Sequence, residues 1–507
     1  VNPSGHLTDT YATDSLSSPA AVNSGTRTPQ FANVDEINAT IGEDENAEYM
    51  SFQAEGIYIG YRYYETRYAD AVMGQGNATA PVGALEGASS WNYADEVQYP
   101  FGYGLSYTTF DQKLDSVDVG EDEITAKVTV TNTGDVAGKS VVQLYAQTPY
   151  GDYERQHGVE KSAIQLAGFG KTQELAPGAS ETVTITVDKY LLASYDTTAH
   201  DGAGGYILSD GDYYLAIGED SHDALNNVLA AEGYTAANGM TAEGTAAKTY
   251  SFKQSFDDDK YRTGENGAIV SNQFADADLN YWVDGAGTYL SRSDWQGTWP
   301  VSYDSLTAND AIINGLQFNY TAEAPDETVI TGSTATNYTL ANLIGKDYDD
   351  PMWVDLLNQL TLTDLAELVG HSGYGTRAID SIGLPATVAA DGPQGIKATY
   401  VGNNSTVAYT SEPVMAATFN TEILYNVGLS MGEDALRSDN RVVGWYGPAM
   451  NIHRTPYSGR NFEYYSEDGF LSGMMSAYEV AAIQAKGVHV VMKHFALNDC
   501  EQDRIGL

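Results

Sequence analysis

Residues able to do chemistry gather in the last third of the chain, in three clusters. Ala390-Asp391-Gly392-Pro393 is the first. Ser458-Gly459-Arg460-Asn461-Phe462-Glu463, continuing to Ser466-Glu467-Asp468, is the second. Lys493-His494-Phe495, with Asn498, Glu501 and Arg504 beyond it, is the third. Carboxylates, two strong cationic donors and an imidazole suit a ligand with many hydroxyls, each of which donates and accepts. A carboxylate accepts two hydroxyls at once. Arg460 and Lys493 add charge-assisted donors, and His494 can donate from one ring nitrogen.

Each residue also has a plainer reading. Asp391 could only shape a turn, and Arg460 could pair with Glu463 or Glu467. Lys493 and His494 could simply close a strand. Glu463, Glu467 and Asp468 read as ion-pairing, loop-shaping residues, His489 as a core histidine and Asp294 as part of a connector. His453 and His494 lack partners at metal-ligand spacing, so no metal is expected. No phosphate-cradling glycine loop and no Gly-x-Ser-x-Gly elbow occurs, and no cofactor is expected.

Such clusters need elements to hold them. Thr387 to Ala390 reads as a strand ending at Asp391. Helices are expected from about Met352 past Leu360, over Leu365 to Val369, from an N-cap at Asn420, and from about Leu471 to Lys486 with Gly487 as the stop. Val442 to Tyr446 and the near-continuously apolar Val488 to Met492 complete a strand–helix–strand alternation. That alternation opens a (β/α) barrel or a doubly wound sheet, with ligand groups at the strand ends. The loops after the first two strands are long, as functional loops tend to be.

Upstream the pattern changes. Ile124, Ala126, Val128 and Val130 alternate with polar residues. Val183, Ile185 and Val187 do the same, and Asn132-Thr133-Gly134-Asp135 and Ala176-Pro177-Gly178 mark turns. Residues 111–220 are therefore expected to form a β-sandwich. Residues 1–110 carry the aromatic runs Glu55 to Tyr64 and Tyr99 to Tyr107, which read as glycine-punctuated loops or short strands packed on something larger. Residues 221–345 read as an extended connector, most ordered around Tyr289 to Trp295, and 346–507 as the strand–helix region.

The chain has 507 residues, about three domains at roughly 150 residues each. Its formal charge is −44, from 69 acidic against 25 basic residues. That charge disfavours nucleic acid and anionic membranes as partners. No apolar run is long enough to span a bilayer. Cys500 is the single cysteine. It fits a cytosolic setting, although secreted bacterial enzymes also lack disulfides. The ends, Val1 and Leu507, look cut rather than natural.

Together these motifs resemble glycoside hydrolase family 3. Asp391-Gly392-Pro393-Gln394-Gly395 is similar to the family's first barrel loop, and Gly459 to Glu463 with Ser466-Glu467-Asp468 to its Arg-bearing loop. Lys493-His494-Phe495 is similar to its strand-end Lys-His pair. The resemblance implies that Asp391, Arg460, Lys493 and His494 hold a sugar's hydroxyls. Lys-His-Phe-Ala-Leu-Asn points to a glucosidase-like branch rather than an N-acetylglucosaminidase one. Val1 to Leu7 looks like the tail of the family's α/β sandwich domain. Tyr99 to Tyr107 resembles the lead into its fibronectin III-like module. Ser291 to Pro300 is similar to the linker of a branch with permuted domain order.

The implied architecture is multidomain: a fibronectin III-like β-sandwich, part of a (β/α) TIM-type barrel, and the tail of an α/β sandwich. The implied activity is retaining hydrolysis of terminal β-linked sugars, with a β-glucoside or oligosaccharide as substrate. Homo-oligomerisation is compatible with it. Retention needs two carboxyl groups about 5–5.5 Å apart. The resemblance puts the nucleophile beyond Leu507 and the acid/base before Val1, so no catalytic residue is assigned within the chain. Two other readings compete: a non-catalytic carbohydrate-binding or adhesion protein, and an aldolase-like barrel using Lys493 as a Schiff-base amine.

Overall fold

The computed structural model describes residues 2–41, 47–304, 306–317, 332, 336–371, 373–397 and 406–504. Val1, Leu507 and part of the long loop after the first predicted barrel strand lie outside these residues.

The first aromatic run departs from its expectation. Tyr61–Met73 is a helix, α1, entered from Gly60 and closed by Gly74 in the left-handed region. Tyr61, Tyr64, Tyr68 and Val72 recur at helical spacing and are 1–5% exposed. A stripe of rings at that period is buried most completely on a helix. α1 is nearly encircled, since Tyr63, Arg67 and Asp70 are buried as well.

The β-sandwich is built from two antiparallel sheets. Strands β1 (Phe110–Val119), β2 (Glu123–Asn132), β3 (Val141–Gln147), β4 (Gln165–Lys171), β5 (Ser180–Asp188) and β6 (Gly211–Gly218) come from the predicted module. One sheet runs β1-β2-β5. In β2 the alternating residues Ile124, Ala126, Val128 and Val130 all face inward with no exposure. They meet Val142, Leu144, Leu215 and Ile217 of the opposing sheet.

The connector is less extended than its sequence suggests. Ser221–Ala231 forms helix α2, capped by Asp220, whose side chain accepts from the Asp223 N–H. Thr249–Gln254 forms β7 and pairs antiparallel with β6, giving the second sheet the order β7-β6-β3-β4. Both were hard to read because their partners supply the apolar surface. Ala224, Leu225, Val228 and Leu229 join a core that also holds α1 and Trp295. Trp295 and Arg292 close this junction on Asp70, at 2.9 and 2.5 Å.

Beyond the connector, β8 (Thr387–Asp391), β9 (Gly444–Tyr446) and β10 (His489–Val490) form a parallel sheet. Helix α3 (Glu412–Ala416) and helix α4 (Thr421–Arg437), N-capped by Asn420, lie between β8 and β9. Helix α5 (Gly469–Gln484) joins β9 to β10. α4 and α5 cover one face through Met431, Ala435 and Ile483, against Ala390, Trp445 and Val488. The third strand departs from its expectation of a long buried run. Only His489 and Val490 pair, His489 is exposed rather than a core residue, and Val491 and Met492 are 39% and 53% exposed. The apolar run is present, but only one side of it is covered.

Candidate functional site

β8 delivers Asp391 to the sheet's C-terminal edge, where the chain turns sharply. The Asp391 carbonyl accepts from the Lys397 N–H at 2.7 Å, and its own carboxylate accepts from the Gly392 N–H at 2.8 Å. Trp445 of β9, fully buried, donates its indole N–H to the Gly392 carbonyl at 2.7 Å. The core of the sheet therefore pins the first loop.

Lys493 follows β10. Its backbone carbonyl accepts from the Met450 N–H at 2.8 Å, which ties it to the segment after β9. Its ammonium group donates to the Asp391 carboxylate at 2.7 Å and lies 3.9 Å from Glu463. Burial works against the charge on Asp391, but the Lys493 hydrogen bond and charge outweigh it and hold the carboxyl below its usual range.

Arg460 enters from the loop between β9 and α5. Its guanidinium donates from Nε to Glu463, from Nη1 to Glu501 at 3.3 Å and from Nη2 to His494 Nε2 at 2.8 Å. The plain reading of an Arg460–Glu463 pair therefore holds, and the same guanidinium also faces the hollow. Glu467 is not its partner. That carboxyl accepts from the Thr10 N–H, the Thr10 hydroxyl and the Tyr61 N–H at 2.9, 2.7 and 2.8 Å. Asp468 accepts from the Tyr61 hydroxyl and caps α5. These two acids latch the loop to α1.

Asp391, Gln394, Lys397, Arg460, Glu463 and Lys493 line one hollow of about 600 Å³. Its wall alternates acceptors with cations, an arrangement suited to several hydroxyls at once. His494 is not among the residues lining this hollow. Burial, then the Arg460 and Lys493 cations, push its pKa down to about 4. The neutral ring accepts from Arg460 on Nε2, and its Nδ1 lies 3.3 Å from the Tyr464 hydroxyl. It braces Arg460 and lines an adjoining hollow with Asn451, Lys493 and Asp499.

Asp294 is not among the residues lining the hollow and accepts from the Asn77 side chain and the Gly297 N–H. His453 is occupied by Asp9 at 2.5 Å and the Tyr464 carbonyl at 2.8 Å. Among the described residues, no three His, Cys, Asp or Glu side chains are grouped to hold a metal, and no helix is long and apolar enough to cross a membrane. The sequence reading missed Gln394 as a side chain and Glu412 altogether. An acid at the first turn of a short helix looks like ordinary end-capping, and only its complete burial sets it apart.

Comparison with known proteins gives two domain matches. The glycosyl hydrolase family 3 N terminal domain matches residues 361–503, and the fibronectin type III-like domain matches residues 140–221. Over its whole length the chain is 31% identical to beta-glucosidase A of Butyrivibrio fibrisolvens, covering 54% of that protein. It is 29% identical to a beta-glucosidase of Ruminococcus albus over 99% of the chain and 44% of that protein. The chain thus spans about half the length of the curated relatives it matches. A solved beta-glucosidase from Paenibacillus barengoltzii shares the fold over 99% of this chain and 46% of that one, with a TM-score of 0.63 at 24% identity.

Proposed function

The chain belongs to glycoside hydrolase family 3, and from that premise we propose that it carries the sugar-holding side of a retaining β-glucosidase-like active site. Asp391 accepts glycone hydroxyls, Lys493 and Arg460 donate to them, and His494 fixes Arg460. In the same reading, residues 346–507 are the first part of a (β/α) barrel, 111–220 the fibronectin III-like module, 221–345 a connector, and 1–110 the tail of an α/β sandwich. The substrate class is a terminal β-linked sugar. Retention requires a nucleophile and an acid/base about 5–5.5 Å apart. Neither role is assigned to Asp391, whose part in this reading is to hold the sugar.

The meeting of Asp391, Lys493, Arg460 and Glu463 around one hollow carries this reading. The aldolase alternative loses ground there. A Schiff-base lysine needs its nitrogen free to attack a carbonyl, whereas the Lys493 nitrogen is tied to the Asp391 carboxylate at 2.7 Å.

The test is hydrolysis of p-nitrophenyl β-D-glucoside by the whole protein, with glucose as competitive inhibitor. Asp391→Ala should weaken glucose at least about tenfold, because hydrogen bonds to a charged group contribute about 1.5–3 kcal/mol. A wild-type inhibition constant in that variant would remove Asp391 from the site.

A further inference from the structure

Glu412 opens α3, 0% exposed and outside the lining of the hollow. Its Oε2 accepts from the Gln394 amide nitrogen at 2.7 Å. The same nitrogen donates to the Phe462 carbonyl at 3.1 Å, so both amide hydrogens of Gln394 are used. Gln394 belongs to the loop that carries Asp391, and Phe462 to the loop that carries Arg460 and Glu463. One side chain therefore bridges the two loops across the hollow, and Glu412 anchors it from behind.

We infer that Glu412 is a positioning residue: through Gln394 it sets the gap between the Asp391 loop and the Arg460 loop, and so the width of the hollow. This inference rests on the sugar-holding role proposed above.

The surroundings of Glu412 are hard to explain otherwise. A buried carboxyl ordinarily has a cation or several donors. The ionisable groups that face Glu412 are Glu463 on the neighbouring turn, and Glu479 of α5 with the nearby Tyr465 hydroxyl. None is basic. Its Oε1 has no hydrogen-bond partner among the described residues. A methionine or leucine would fill the same space without that cost, but would leave the Gln394 amide unpaired. Burial, and secondarily the two neighbouring acids, push the Glu412 pKa up to about 8, against hydrogen bonds from Gln394 and from its own backbone N–H. At neutral pH the group is therefore a neutral acid, whose carbonyl oxygen can take the Gln394 hydrogen. Above about pH 8 it becomes an anion facing Glu463 and Glu479, and the gap it sets should change.

The experiment compares Glu412→Ala, Glu412→Gln, Gln394→Ala, the Glu412→Ala/Gln394→Ala double variant and Asp391→Ala in the whole protein. It reads melting temperature, KM for p-nitrophenyl β-D-glucoside and the glucose inhibition constant at pH 6 and 8.5. Losing one bridging hydrogen bond should raise KM and the inhibition constant about five- to tenfold in Glu412→Ala and in Gln394→Ala. The double variant should be no worse than either single one, because both cut the same chain. Glu412→Gln should keep wild-type affinity at pH 6, its amide carbonyl accepting the same hydrogen, and should lack the weakening that wild type shows at pH 8.5.

Unchanged inhibition in Gln394→Ala, with its melting temperature showing a folded protein, overturns the inference even if Glu412→Ala fails to fold. Multiplying losses in the double variant overturn it too. Loss in Asp391→Ala without loss in Gln394→Ala removes only the positioning role. Unchanged inhibition in Asp391→Ala removes the sugar-holding reading itself.

Discussion

Gly60→Ala tests whether the site loop depends on a contact 400 residues away in sequence. Gly60 precedes α1 with φ 54° and ψ −134°, a conformation that L side chains rarely adopt. A methyl group there would overlap the carboxyl group of Glu467. Backbone strain costs about 1–3 kcal/mol. Moving Glu467 aside breaks its three hydrogen bonds to Thr10 and Tyr61, about 1 kcal/mol each. The alanine recovers about 0.4–1 kcal/mol by restricting the unfolded chain. The net loss is about 3–5 kcal/mol, a large share of the roughly 5–15 kcal/mol that holds a domain together.

Gly74→Ala is the internal control. It also places a side chain at positive φ, but in open space, so only the strain applies. Thermal unfolding should show Gly60→Ala melting well below Gly74→Ala. The two differ by the three hydrogen bonds, about 3 kcal/mol, so at about 2–4 °C per kcal/mol for a unit of this size the gap is about 6–12 °C. Because Glu467 and Arg460 share one loop, glucose affinity should fall in Gly60→Ala and not in Gly74→Ala. Equal melting temperatures for the two variants would refute the latch.

Two further outcomes follow from the electrostatics. Burial raises Glu412 and Glu467 to about 8 and Glu479 to about 7, all above the ordinary 4.5. Stability from these groups is complete below pH 4.5 and is lost as pH rises through 7 to 8. Melting temperature should therefore fall between pH 5.5 and 8.5, and Glu479→Gln should flatten that fall. Lys493→Met removes the partner that lowers Asp391. Since a depressed carboxyl loses its contribution as pH falls through its folded pKa, the variant's acid limb of glucose binding should move to higher pH, with weaker affinity throughout.

Much of the site was legible because its signals are local. A strand-end Asp before Gly-Pro, an asparagine cap at 420 and the alternation of β2 all depend on neighbours within a few residues, and the structure has each of them; the last helix ends at Gln484, three residues before the expected glycine stop at 487. Residue types then implied the chemistry: acids and cations at successive strand ends suit a ligand rich in hydroxyls. The same reasoning had Asp391 and Lys493 face one ligand, and the structure sets them 2.7 Å apart.

What only the tertiary structure decided were faces and partners. Tyrosines in a row read as strand or loop until a surrounding core favours a helix, as in α1. Thr249–Gln254 is a polar stretch until β6 takes it as a neighbour. His489 lies in an apolar run, yet one side of that run is uncovered. His494 turns toward Arg460, Glu412 is buried by α5 and the Arg460 loop, and Glu467 finds Thr10 across 457 residues. Period and turn chemistry act through the backbone over short range. Burial and hydrogen-bond pairing are settled only when distant segments compete for the same space, and nothing local to a residue encodes which of them arrives.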